Sequence, residues 1–215
     1  MKINCIKHKY ENFQLDIENI ELKKGNIIGL IGENGAGKST LMSILSGYLK
    51  ANGSNDVEGI DINKVLFIPS ELELYEYLTV EEFILLVIKY SNTKVTIDEL
   101  LDKLDLKEKR NILIEELSEG MRKKLSLVSI FTKEYEVIIL DEPFNSIDLN
   151  YIYKLKQCLL SLKKESIILI SSHILDTLAD ICDQFVLINK GHVKKQIINT
   201  RNIKNLESEI FGRSI

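Results

Sequence analysis

The chain has 215 residues, 45% of them hydrophobic and 28% charged, enough to bury a sizeable core in one domain with a subdomain. A net charge of −4 excludes the strongly basic footprint of a nucleic-acid-coating protein. Three scattered cysteines without a CxxC pair argue against a disulfide framework or a zinc site.

No secretory leader is expected in MKINCIKHKY. The longest apolar runs, FILLVI at 83–88 and VIIL at 137–140, fall far short of a membrane span. In chain order, short β-branched runs predict strands at 3–6, 14–22, 27–31, 65–68, 137–140, 167–170, 185–188 and 193–198. Several are apolar throughout, as strands covered on both faces are. Helical periodicity is found at 39–49, 80–90, 97–104, 118–132, 151–163 and 174–182. Alternating strands and helices predict an α/β fold with a mainly parallel sheet. From about 71 to 132 only helices follow one another. That stretch is expected to be a helical subdomain inserted between core segments 1–70 and 133–215.

Residues 32–39, GENGAGKS, satisfy G-x-x-x-x-G-K-[ST] between a predicted strand and a predicted helix, the context that motif requires. Glycines let successive backbone N–H groups turn inward, and the helix start adds its positive dipole end. Lys38 then offers a cation to β- and γ-phosphates, and Ser39 a hydroxyl to Mg²⁺. VIILDEP at 137–143 is an apolar strand ending in two carboxylates. Charge at a buried strand tip is costly unless a cation meets it. Asp141 is therefore expected beside Mg²⁺, and Glu142 at the attacking water. His173 ends another apolar strand and is expected at the same sheet edge, where α/β folds collect ligands. Ser118 and Gly120, in LSEGM, open a second helix with a small, anion-friendly entry. One chain has no second phosphate for that entry, which points to a second copy.

GENGAGKST, LSEGM, VIILDE, NSID at 145–148 and His173, in this order, resemble the ATP-binding subunit of ABC transporters along nearly the whole chain. The resemblance implies one ABC-type ATPase domain over 1–215, with a P-loop NTPase core and an N-terminal antiparallel β part. It implies ATP and Mg²⁺ as ligands. Adenine would stack on Tyr10, and Gly32, Glu33, Asn34, Gly35, Ala36, Gly37, Lys38, Ser39 and Thr40 would hold the phosphates. Ser118, Gly120 and Asp148 would act on nucleotide across a head-to-tail pair with a second nucleotide-binding subunit, alike or different. An integral-membrane permease would be the other partner, placing the chain on the cytoplasmic face of the membrane, and no nucleic acid is expected.

Three departures accompany the resemblance. Ser70 stands where the family places a glutamine; too short to replace it, Ser70 would either reach metal through water or leave coupling weakened. Glu119 and Met121 replace a glycine and a glutamine of the signature, and Met121 resembles exporters of peptides, antibiotics or drugs. The region between Gly47 and Val65 is short for the family. Two competing readings stand beside the transporter subunit. One is a soluble ATPase of the same family acting on ribosomes or DNA, which the lack of a fused second domain or long coiled coil disfavours. The other is a regulatory subunit with weak hydrolysis, which Lys38, Asp141, Glu142 and His173 disfavour.

Overall fold

The computed structural model describes residues 1–201 and Leu206. Among these, nine strands form one sheet: β1 (Lys2–Lys9), β2 (Gln14–Glu21), β3 (Ile27–Ile31), β4 (Asn55–Glu58), β5 (Val65–Ile68), β6 (Val137–Leu140), β7 (Ile167–Ser172), β8 (Gln184–Asn189) and β9 (His192–Ile198). Their order is β4-β1-β2-β9-β8-β3-β7-β6-β5. From β8 to β5 every pair is parallel, with Ile28 beside Leu169 and Val137 beside Ile167. β1 runs antiparallel to β2 and β4, and β9 antiparallel to β8. The fold is therefore α/β with a mainly parallel core, as the sequence pattern predicts, and an antiparallel N-terminal part, as the resemblance implies.

Burial explains the pattern. Every residue of β3, β6 and β7 is buried, so these strands read as unbroken apolar runs rather than alternating ones. Each fully buried Ile or Leu there contributes about 1.5–3 kcal/mol relative to exposure. Parallel strands also end at one edge, so the segments after β3, β6 and β7 emerge together. β4 escapes sequence detection because its residues, NDVE, are mostly exposed on an edge strand and carry no apolar signal.

The helices are α1 (Lys38–Leu45), α2 (Val80–Ser91), α3 (Ile97–Leu104), α4 (Glu119–Ser126), α5 (Leu149–Leu162) and α6 (Leu175–Ala179). α1 is shorter than the expected 39–49 because the chain turns at Gly47, at φ +73°. The expected helix 118–132 stops at Ser126 and continues as a 3₁₀ turn, Val128–Phe131. Ser126 Oγ donates to the Lys123 carbonyl at 2.7 Å and Thr132 Oγ1 to the Ser129 carbonyl at 2.9 Å. Hydroxyls bonded back to the preceding turn bend helices in this way.

Packing divides the chain into two units. The first holds the sheet and comprises Met1–Pro69, Tyr135–Pro143 and the chain from Lys156. Its core gathers Ile3, Leu15, Ile28, Leu30, Leu41, Ile139 and Leu169. The second comprises Ser70–Glu134 and Phe144–Leu155, around Val80, Ile84, Leu100, Leu101, Leu104 and Leu125. In α3 the buried Leu100, Leu101 and Leu104 share one face at helical spacing. Reciprocal capping boxes open two of its helices. Thr79 Oγ1 accepts from Glu82 N, whose carboxylate accepts from Thr79 N at 2.8 Å; Thr96 and Glu99 do the same at 2.8 Å. Thr96→Ala is expected to lower stability by about 1 kcal/mol, seen as a lower urea midpoint with an unchanged slope.

Candidate active site

β3 ends at Ile31 and hands the chain to a loop that closes at Gly37, the residue before α1. Gly37 has φ +105°, and a Cβ there would lie 2.8 Å from both Phe13 and Leu15. Only glycine fits that turn. Helices α2, α3 and α4 begin on Thr79, Thr96 and Ser118, whose hydroxyls take an N–H of the first turn, and Asp148 Oδ1 takes Tyr151 N in α5. α1 has neither a side-chain cap nor an acidic residue in its first turn. Its leading N–H groups are thus left for an anion.

Lys38 is 6% exposed. Its ammonium donates to the carbonyls of Gly32 at 2.7 Å and Glu33 at 3.1 Å, so a cation sits inside the loop with one further N–H to give. Ala36 and Gly37 are buried beside it; Glu33, Asn34, Gly35 and Ser39 are exposed, and Gly32 and Thr40 half-buried. The loop is pinned where Ala36 N donates to the Glu33 carbonyl and Gly191 N to the Ala36 carbonyl. Tyr10 presents a half-exposed ring, edge-on to the buried His8 at 4.6 Å and 6.4 Å from Phe13. Sequence pattern gives no hint that Phe13 lies against Gly37.

Asp141 follows β6 and is 2% exposed. One of its carboxylate oxygens accepts a hydrogen bond from Ser171 Oγ. Glu142 adopts φ +47°, a conformation that costs a residue with a side chain about 1–3 kcal/mol and persists only where its surroundings impose it. Glu142 N donates to the same Ser171 Oγ at 2.8 Å, and Glu142 Oε2 lies 3.1 Å from His173 Nδ1. Ser172 Oγ accepts from Ile174 N at 3.0 Å, shaping the turn that carries His173. Lys38, Asp141, Glu142 and His173 thus belong to the three segments that leave one edge of the parallel sheet. The serine pair in ILISS is the signal that sequence pattern alone does not flag: two hydroxyls ending an apolar strand.

In the second unit, Ser118 Oγ accepts from Met121 N at 3.3 Å, capping α4. A Cβ on Gly120 would meet the Ser146 carbonyl at 2.5 Å, and Ser146 Oγ bonds the Glu119 carboxylate. Asp148 Oδ2 pairs with Lys124 at 2.6 Å while Oδ1 accepts from Tyr151 N at 3.0 Å. Lys124 first, then that N–H, hold the Asp148 carboxyl below its usual range. Ser70 is exposed, and its carbonyl accepts from Lys123 Nζ at 2.9 Å. Cys5, Asp16 and Glu18 also gather in the first unit. There Lys7 pairs with both carboxylates, at 3.2 and 3.5 Å, which accounts for the cluster.

A family model described as ABC transporter matches residues 15–145. An ABC transporter ATP-binding protein of Methanocaldococcus jannaschii is 31% identical over 195 residues, 87% of this chain and 73% of its own length. A lantibiotic transport ATP-binding protein of Streptococcus pyogenes is 32% identical over 226 aligned positions, 96% of this chain and 95% of its own. A solved ATP-binding subunit of an ABC transporter superposes with a TM-score of 0.80 at 27% identity, covering 98% of this chain and 92% of that one. Lys38→Ala, which removes the cation from the loop, is expected to abolish the rise in Tm that ATP produces; an unaltered rise would remove the loop from nucleotide binding.

Proposed function

The chain belongs to the ABC transporter family, as an ATP-binding subunit and ATPase, and on that premise we propose that it drives a separate membrane permease in the export of a peptide, antibiotic or drug. The observation that carries the ATPase part is the uncapped start of α1 with Lys38 buried in its loop. An unpaired helix N-terminus, an inward ammonium and a glycine-closed turn form the cradle a polyphosphate fits. The lantibiotic-transport relative, matched almost end to end, and Met121 support the export reading. Among the described residues no helix is long and apolar enough to cross a membrane.

The residues take the following roles in this reading. Backbone N–H groups from Gly32 to Thr40 and the Lys38 ammonium hold the β- and γ-phosphates, with the adenine base on Tyr10. Asp141, a buried carboxylate bonded to a hydroxyl, fits a divalent cation, with Ser39 as a further holder. A Mg²⁺ ion held by these residues would supply positive charge against the phosphate oxygens. Glu142 polarises the attacking water and takes its proton, and His173, bonded to Glu142, keeps that carboxylate turned toward the γ-phosphate. The γ-phosphorus bond to the β-phosphate oxygen breaks, releasing ADP and phosphate.

Ser118 and Gly120 complete the reading as a two-subunit arrangement. They lie at the start of α4, and a second copy placed head to tail brings them to the phosphates held by its partner. Loss of the γ-phosphate removes that bridge, and the permease couples to the opening. Asp148 acts beside them, at the start of α5. Glu142→Gln keeps the size and hydrogen bonding of the side chain but not its basicity. It is expected to bind ATP, lose about a hundredfold or more in hydrolysis, and elute as a dimer with Mg-ATP. Monomer alone, hydrolysing at the parent rate, would contradict the role given to Glu142.

A further inference from the structure

Ser171 makes two hydrogen bonds that the roles above leave unused. It lies on β7 between the two strands that feed the site: Leu30 of β3 is its register partner on one side, and Ile170 pairs with Leu140 of β6 on the other. Ser171 is fully buried. A buried serine must satisfy one O–H donor and retains lone pairs to accept with. Its proton goes to the Asp141 carboxylate, and a lone pair takes Glu142 N at 2.8 Å. Neither bond closes within its own strand. Both cross to consecutive residues after β6, one at a buried carboxylate and the other at the peptide of a left-handed glutamate.

We infer that Ser171 is a positioning residue for both carboxylates, through a single hydroxyl that aims Asp141 at the divalent cation and fixes the backbone from which Glu142 reaches water. The inference rests on the ATPase reading above. Hydrogen-bonding Oδ1 restricts rotation of the Asp141 carboxylate and leaves its other oxygen for the cation, as outer partners of metal ligands do. Holding Glu142 N at φ +47° sets where the Glu142 side chain leaves the chain, and hence its 3.1 Å approach to His173. The neighbouring hydroxyl steadies the histidine side of that contact. Ser172 Oγ accepts from Ile174 N at 3.0 Å and orders the turn bearing His173. Adjacent strand residues face opposite ways, so the two hydroxyls divide the work without competing.

The test separates the hydroxyl from the volume it fills. Ser171→Ala, Ser171→Val and Ser171→Thr are made in the full chain, and melting without nucleotide checks their folding. Hydrolysis is followed as kcat and KM, and Tm is measured with ATP plus Mg²⁺ and with ATP plus chelator. Ala and Val are expected to lose about tenfold or more in kcat with KM nearly unchanged. They should also lose most of the Mg²⁺-dependent part of the Tm rise while keeping the part seen with chelator. Thr, which keeps the hydroxyl, should retain both. An Ala variant equal to the parent in kcat and in the Mg²⁺-dependent rise would overturn the inference, as would a Thr variant as impaired as Val. If the parent chain bound ATP without hydrolysing it, the ATPase reading would fail, while the Mg²⁺-dependent rise would still decide the role of Ser171.

Discussion

Two charges buried at the carboxyl edge of the parallel sheet govern this molecule. Lys38 and Asp141 are almost wholly out of water, where an unsatisfied charge is costly. Each is answered by local structure rather than by a long-range ion pair. Two loop carbonyls accept from the ammonium, and the Ser171 hydroxyl donates a hydrogen bond to the carboxylate. The glycine turn at Gly37, the left-handed Glu142 and the polar end of β7 all serve these arrangements. A parallel sheet with apolar strands on both sides makes the edge dry enough for the charges to act strongly on a ligand.

Most of the fold was legible because its signals were local and repeated. Unbroken apolar runs marked β3, β6 and β7, and helical periodicity marked α2 and α3. What stayed hidden depended on partners distant in sequence. β4 is an exposed edge strand defined by hydrogen bonds to β1 rather than by apolar residues. The break after Ser126 depends on hydroxyl back-bonding, which periodicity does not report. The loop, Asp141, Glu142 and His173 could be named from spacing, yet the serine that joins Asp141 to Glu142 lies about thirty residues away from both. Phe13 beside Gly37 was hidden for the same reason.

The second unit ties its own functional residues together. Glu119, at a signature position the family fills with glycine, bonds Ser146, and Gly120 packs against the Ser146 carbonyl. Lys124 pairs with Asp148, and Lys123 holds the Ser70 carbonyl. LSEGM is thereby fastened to Ser146, and the α4 lysines that follow it to Asp148 and to the residue at the usual glutamine position. In the proposed head-to-tail pair, these ties let a change at one subunit's phosphates pass through α4 to the segments beside it.

In the proposed pair each ATP site is built from two subunits, a cradle from one and the start of α4 from the other. Lys38→Ala spoils the cradle and leaves LSEGM intact; Ser118→Arg does the reverse. Mixed in one solution, the two variants form some pairs in which an intact cradle faces an intact α4 start. The measurement is ATP hydrolysis by each variant alone and by the mixture. Neither variant is expected to hydrolyse ATP by itself, and an equal mixture is expected to recover up to about a quarter of the parent rate, because about half the pairs are mixed and each of those holds one intact site of two. A mixture as inactive as its components, or a Ser118→Arg variant that hydrolyses unaided, would contradict it.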